Sequence, residues 1–345
     1  MSRRSLTLVI ATVGVIAALA VAVLVPVPYV ILGAGPTLNT LGQDSSGQPL
    51  ITISGHATYP TTGHLNMVTV GYQGGPGSNL NIFSALAAWL NPQKAVVPES
   101  ELFAPGQTQQ QAQQADTQQM TGSQQDATAA ALTELHIVYQ TPADVVKANP
   151  GFPAYGVLKA GDVITAVDGH PVTSQAPLAS LIDAHPAGST LTLTITRNGQ
   201  PQTVRVGTKE SGGRPVMGVQ VQPGPFQFPF TVKFSVGDIG GPSAGMMFAL
   251  GIIDKLTAMN LTGGKFIAGT GEITQAGQVG AIGGIQQKMV AARSAGATVF
   301  LTPAGNCVNT AGAVPAGLRL VKVATLSQAV GDLEAIKEGK SVPSC

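Results

Sequence analysis

From residue 6 to residue 24 almost every position is apolar, and residues 5–43 contain no Asp, Glu, Lys or Arg. Those nineteen residues would span about 28 Å as a helix, close to the ~30 Å hydrocarbon layer of a bilayer, so the pattern predicts a membrane-crossing helix. Two readings stay open. A cleaved signal peptide is one, because Ala18-Leu19-Ala20 and Ala20-Val21-Ala22 fit the small-x-small cleavage pattern. An uncleaved signal anchor is the other, and it is favoured because the apolar run continues through Val25, Val27 and Val30. Arg3 and Arg4 precede the span and no basic residue follows closely, which keeps the N-terminus in the cytoplasm and exports the remainder.

Past the span the pattern shortens. Residues 50–53 and 65–72 read as strands around a turn at residues 60–63, and Asn79 is placed to cap a helix over 80–90 with Phe83, Leu86 and Leu90 on one face. Ten of the nineteen residues from 107 to 125 are glutamine. Such a tract reads either as a polar linker or as a helix with an exposed glutamine face; Ala112, Ala115 and Met120, followed by the apolar run 127–132, favour the helix. Residues 137–139 read as a strand, 177–184 as a helix, 190–196 and 203–206 as strands joined by a turn at Asn198-Gly199. Two further helices are expected over 246–256 and 285–295, with a strand over 298–301 after them.

Composition narrows the function. The 345-residue chain is long enough for two domains. Its 10% charged residues and net charge of +1 exclude charge-driven disorder, and the absence of a basic cluster argues against a nucleic-acid partner. Two cysteines, Cys307 and Cys345, exclude a four-cysteine zinc site, and no metal or other cofactor is expected. In an oxidising compartment they are expected to pair; two unpaired thiols are the alternative. None of the five histidines lies beyond residue 210, so that segment cannot hold a Ser-His-Asp triad. Neither a GxxxxGK[ST] loop for ATP nor a GxGxxG dinucleotide fingerprint occurs.

What the segment does hold is Gly240-Gly241-Pro242-Ser243-Ala244-Gly245 before one predicted helix and Gly283-Gly284 before the next, with Lys288 in the latter's first turn. Ser243 at a helix start is either an N-cap or a nucleophile beside free backbone N–H groups that could stabilise an oxyanion. Ile285, Lys288 and Ala292 share a helical face, which aims the lysine at apolar surroundings. A free lysine is protonated at pH 7, its neutral form lying roughly 4.6 kcal/mol uphill; desolvation and the positive helix end both act to lower that cost.

Gly241-Pro242-Ser243-Ala244-Gly245, then residues 268–273 (Ala-Gly-Thr-Gly-Glu-Ile), then 279–288 ending Gly283-Gly284-Ile285-Gln286-Gln287-Lys288, resemble the proteolytic domain of Lon proteases, which are Ser-Lys dyad enzymes. The resemblance implies Ser243 as nucleophile and Lys288 as general base, with Thr270, Ala244 and Gly241 in support. One departure is visible: many Lon sequences carry an acid three positions before the serine, where this chain has Gly240. Residues 151–169, with Leu158-Lys159-Ala160-Gly161-Asp162-Val163-Ile164 and Asp168-Gly169, resemble a PDZ domain of the bacterial protease type. That implies a peptide added as a strand to a sheet edge, with Leu135 and His136 at the carboxylate-binding loop; a module that only spaces two parts of the chain is the alternative.

Residues 62–70 and 120–129 look like the front of a Lon proteolytic domain, which suggests a discontinuous arrangement. Residues 1–35 would be the cytoplasmic tip and transmembrane anchor, 36–134 with 209–345 an α/β (α+β) Lon-like protease domain, and 135–208 an inserted PDZ-like domain. Three consecutive units are the competing layout. As a whole the chain resembles membrane-anchored, PDZ-containing Lon-like serine proteases of bacteria. The resemblance implies an ATP-independent, single-pass endopeptidase acting outside the cytoplasm on unfolded or flexible polypeptides, with a homo-oligomer left open. A catalytically inactive peptide-binding scaffold is the rival.

Overall fold

The computed structural model of the chain describes residues 3–44, 46–173 and 175–345. Helix α1, Arg3–Leu24, is among the described residues the one helix long and apolar enough to cross a membrane, and its apolar stretch is wholly unburied by protein. It ends at Leu24, and the apolar residues beyond it have a different fate: Val30 and Ile31 are buried in strand β1, Tyr29–Asn39. The sheet thus begins inside the 1–35 segment expected to be anchor. Strands β2 (Ile51–Ser54), β3 (His64–Gly74) and β4 (Ala95–Pro98) follow. Between β3 and β4 lies helix α2, Ile82–Trp89, capped by the Asn81 side chain, which accepts from the Ser84 N–H, and not by Asn79. The glutamine tract is helical. Helix α3, Gln109–Glu134, opens with a capping box in which Thr108 and Gln111 satisfy each other's backbone N–H groups. Its second half, Ala127 to Leu132, is buried.

The chain divides into two compact units, Met1–Leu135 with Val232–Cys345, and His136–Thr231. The second unit holds β5 (Ala143–Ala148), β6 (Val163–Val167), β7 (His170–Pro171), helix α4 (Gln175–Asp183), β8 (Thr190–Arg197), β9 (Gln200–Gly207), β10 (Lys209–Ser211), β11 (Arg214–Val216) and β12 (Val219–Pro223). Its main sheet runs β12-β5-β6-β8-β9, all antiparallel, with β7 beside β6. Ile164, Leu191, Leu193, Ile195 and Val206 fill its core with Leu158 and Leu178. No strand forms at 137–139; Tyr139 instead packs its ring against Phe226 and Phe228. The unit continues past residue 208 to Thr231, because β12 pairs with β5 and supplies the outer edge of the sheet.

The first unit resumes with β13 (Thr231–Phe234), helix α5 (Gly245–Leu256), β14 (Phe266–Gly269), β15 (Glu272–Ile273), β16 (Val279–Gly280), helix α6 (Ile285–Ser294), β17 (Val299–Pro303), β18 (Arg319–Val323) and helix α7 (Leu326–Lys337). Its six-stranded sheet has the order β18-β17-β14-β3-β1-β4, parallel through the first four strands and antiparallel thereafter. Side chains alternate across the pleat. Ala268, Phe300 and Leu320 pack with Ile285, Met289 and Ala292 of α6, whereas a Cβ on the intervening Gly269 would meet Met247 of α5 at 2.7 Å. Strand β14 therefore runs between the two helices whose starts carry Ser243 and Lys288.

Cys307 lies in the 3₁₀ segment Ala304–Thr310 after β17, and its sulfur is bonded to that of Cys345 at 2.08 Å. The tail is also held where the Lys322 N–H donates to the Pro343 carbonyl. Protein isolated without reductant should show no reactive thiol when titrated under denaturing conditions; two thiols per chain would mean that the tail is held by the backbone alone.

Candidate active site

Ser243 sits immediately outside α5. The N-cap position belongs to Ala244, which makes no side-chain cap, so the Ser243 hydroxyl is not spent on a backbone N–H of that helix. It is instead 2.8 Å from the Lys288 Nζ. Lys288 comes from the first turn of α6, and the turn is placed there by Gly284, the N-cap, in left-handed conformation at φ 66°. A Cβ on Gly284 would stand 2.6 Å from Val70, so only glycine lets α6 start this close to β3.

Thr270 completes the group from the residue after β14. Lys288 Nζ donates to Thr270 Oγ1 at 3.1 Å, and the Thr270 hydroxyl donates to the Ser243 carbonyl at 2.9 Å. The Gly271 N–H donates to the same carbonyl at 2.8 Å. Two donors on one carbonyl fix the backbone of Ser243. The threonine proton is committed to that carbonyl, so its lone pairs face the amine; one Nζ–H is held there, and Nζ also lies within hydrogen-bond reach of Ser243 Oγ. Thr270 is fully buried and Lys288 only 3% exposed. Burial pushes the Lys288 ammonium down to about 8, against a smaller opposing pull from the nearby Glu272 carboxylate.

Both Ser243 and Lys288 open onto a cleft of about 1200 Å³. One wall is the first half of α3, with Gln113, Asp116, Thr117 and Met120 facing in; Tyr72, Phe103 and Val236 also line it. This wall was not anticipated from sequence beyond the helix itself. Ser123 of α3 donates to the Pro242 carbonyl at 2.9 Å, and the Gly241 N–H donates to the Asp116 carbonyl at 3.0 Å, so α3 clamps the loop that carries the serine. The signal available in the sequence was the departure at Gly240. A side chain there would meet Asp116 Cβ at 2.5 Å, so a carboxylate-bearing residue of α3 occupies the space that an acid at position 240 would need. Burial raises the Asp116 carboxyl above its ordinary value.

The structure thus brings together Ser243, Lys288 and Thr270, with Ala244 and Gly241 in the same loop. Leu135 and His136 are elsewhere. Leu135 caps the C-terminus of α3 in the first unit, and His136, at φ 55°, opens the second unit outside any strand. The second unit's sheet has β12 at one edge and β9 at the other, and α4 lies next to β12.

Residues 236–333 match the Lon protease (S16) C-terminal proteolytic domain, and residues 123–208 match the PDZ domain family. The second match starts inside α3 and stops short of β10, β11 and β12. Lon protease of Clostridioides difficile is 49% identical over 63 residues, which are 18% of this chain and 8% of that protein. Lon protease of Neorickettsia sennetsu is 33% identical over 93 residues, 26% of this chain and 11% of that one. The chain therefore spans about a tenth of the length of these relatives. The PDZ domain of an SdrC-like protein from Listeria innocua is similar over 24% of this chain and 93% of that chain, at 23% identity and a TM-score of 0.23. The fold and the two family matches define a mixed α/β protein with a Lon-type proteolytic domain. Its second unit carries the PDZ match, and an apolar helix stands at the N-terminus.

Proposed function

We propose that the protein is a membrane-anchored, ATP-independent serine endopeptidase that cleaves unfolded or flexible polypeptide outside the cytoplasm. The observation that carries this reading is the buried Lys288 amine 2.8 Å from the Ser243 hydroxyl, in an open cleft. Neutral Lys288 takes the Ser243 proton as Oγ attacks the scissile carbonyl carbon. Backbone N–H groups at the positive end of α5 stabilise the developing oxyanion. On collapse the C–N bond breaks and the Lys288 ammonium returns the proton to the leaving amine; water, activated by the same lysine, then releases the acyl group. Polypeptide docks on the second unit by adding to the β12 edge. The absence of a P-loop in the sequence and the two arginines at the start of α1 support ATP independence and an exported active site.

The reading is tested by mass spectrometry of casein digested by the full chain without ATP, beside Ser243→Ala. New internal cleavages limited to the wild type are expected; identical digests would overturn it.

The lysine also sets the pH dependence. With its value lowered to about 8, roughly a tenth of Lys288 is neutral at pH 7, at a cost of about 1.4 kcal/mol. The protonated form is inactive, so kcat/KM should climb about tenfold per pH unit towards pH 8 and level off above it. A profile already flat from about pH 6 would assign the proton transfer to another group.

A further inference from the structure

A globular helix turns its large apolar side chains inward. Helix α2 does the reverse. Its buried face is made of Ala85 and Ala88, packed with Ile31 and Leu80, while Ile82 (50% exposed), Phe83 (46%), Leu86 (52%), Trp89 (71%) and the next residue Leu90 (70%) stand in solvent. The spacing i, i+1, i+4, i+7, i+8 puts all five on one face. Residues 45–93 contain no Asp, Glu, Lys or Arg, so no charge interrupts the surroundings of this helix in sequence.

The partner is indicated by what lies beside it. Helix α2 touches α1, the helix with the length and composition of a membrane span. The Val27 N–H donates to the Leu80 carbonyl at 2.8 Å, and Val27 packs on the alanine face of α2. Val27 is three residues past the end of α1, and three residues of chain reach at most about 10 Å. Val27 therefore lies within about 10 Å of the end of α1 and is bonded to Leu80, two residues ahead of α2, which sets α2 near the headgroup region where Trp and Tyr concentrate. Tyr29, also exposed, opens β1 directly after this connection.

We propose that α2 is a second membrane contact, lying in the plane of the bilayer surface with Ile82, Phe83, Leu86, Trp89 and Leu90 among the lipids next to α1. The inference rests on the reading of α1 as an uncleaved anchor. It turns a single tether into a two-point attachment.

Trp89 is the only tryptophan in the chain, so its emission reports on this face alone. The full chain is reconstituted into phosphatidylcholine vesicles, floated on a density gradient, and measured with lipids brominated near the top or near the end of the acyl chain. Helices of this kind sit about 5–10 Å into the headgroup boundary, so the shallow bromine should remove more emission than the deep one, and iodide in the water should remove little. Phe83→Ser with Leu86→Ser should reverse both effects while flotation persists. Protein that floats but has Trp89 open to iodide and indifferent to bromine overturns the α2 contact and leaves the anchor standing. Protection from iodide that fades on diluting the protein in the vesicles, with no bromine quenching, assigns the face to a second copy and also overturns it. Failure to float removes the anchor and the inference together.

Discussion

Casein cleavage should disappear in Ser243→Ala and fall by about 10²–10⁴-fold in Lys288→Met, the range a positioned general base contributes. Both substitutions keep the fold, for different reasons. The Ser243 hydroxyl is not the cap of α5, so alanine takes nothing from that helix. Lys288 has a more interesting balance. A lysine whose folded value is about 8 against an ordinary 10.5 binds protons less readily folded than unfolded, so its charge opposes folding. That penalty is complete below about pH 8, amounts to about 3 kcal/mol, and is relieved as pH rises from about 8 to about 10.5. Lys288→Met should therefore be inactive yet more stable than the wild type at pH 7, with the gain shrinking towards pH 10. Denaturant titrations at the two pH values check this. A gain of equal size at both pH values would show that burial leaves the proton affinity of Lys288 unchanged, and a variant with near-normal turnover would remove Lys288 from the chemistry.

The second large effect is expected within the unit His136–Thr231. Asp162 is 1% exposed and is held by Arg197 through Nε and Nη2, each at 2.7 Å, and by the Lys159 N–H at 2.8 Å. Burial pushes its carboxyl upward, and the bonds and charge of Arg197, together with the Lys159 N–H and charge, more than offset that and hold it below the usual range. Arg197 in turn donates to the Val157 carbonyl, tying the loop before β6 to the end of β8. Arg197→Met removes one partner and leaves a buried carboxylate uncompensated, which costs about 3–5 kcal/mol. Hydrogen exchange of the β6 and β8 amides should accelerate accordingly while the core of the other unit is unchanged. Asp162→Leu combined with Arg197→Met should recover most of the loss, since a buried pair replaced by apolar groups is often neutral. Unchanged exchange in the single variant would mean that water reaches Asp162 as the arginine leaves.

What the sequence made legible follows from how local each signal is. Helices α3, α5 and α6 announce themselves through periodicity and caps, and the glycine-flanked motifs mark the starts of the two helices between which β14 runs. The order Ser243, Thr270, Lys288 carried the site as a set of residues, yet spacing alone gave no sign that Thr270 spends its proton on the Ser243 carbonyl and so turns the amine. Strand β1 was hidden because Val30 and Ile31 continue an apolar run that a membrane helix and a buried strand share equally. The end of the second unit was set at 208 because β12 owes its place to pairing with β5, more than seventy residues earlier in the chain, as in Gln222 opposite Asp144. No local pattern encodes such a partner. The α3 wall of the cleft was missed for a related reason: Asp116 meets Gly240 only once the whole first unit has closed.

The route of the chain through the first unit sets a timetable for its synthesis. Strand β3 pairs on one side with β1, already made, but on the other with β14, which leaves the ribosome almost two hundred residues later. At roughly 5–20 residues per second, that edge of the half-built sheet waits about 10–40 s with its backbone groups unpaired. During the wait the whole of His136–Thr231 emerges and can close on its own core, so the inserted unit is complete before the surrounding one. A chain in this condition carries an open strand edge, and chaperones that mask such edges would be required most in that interval.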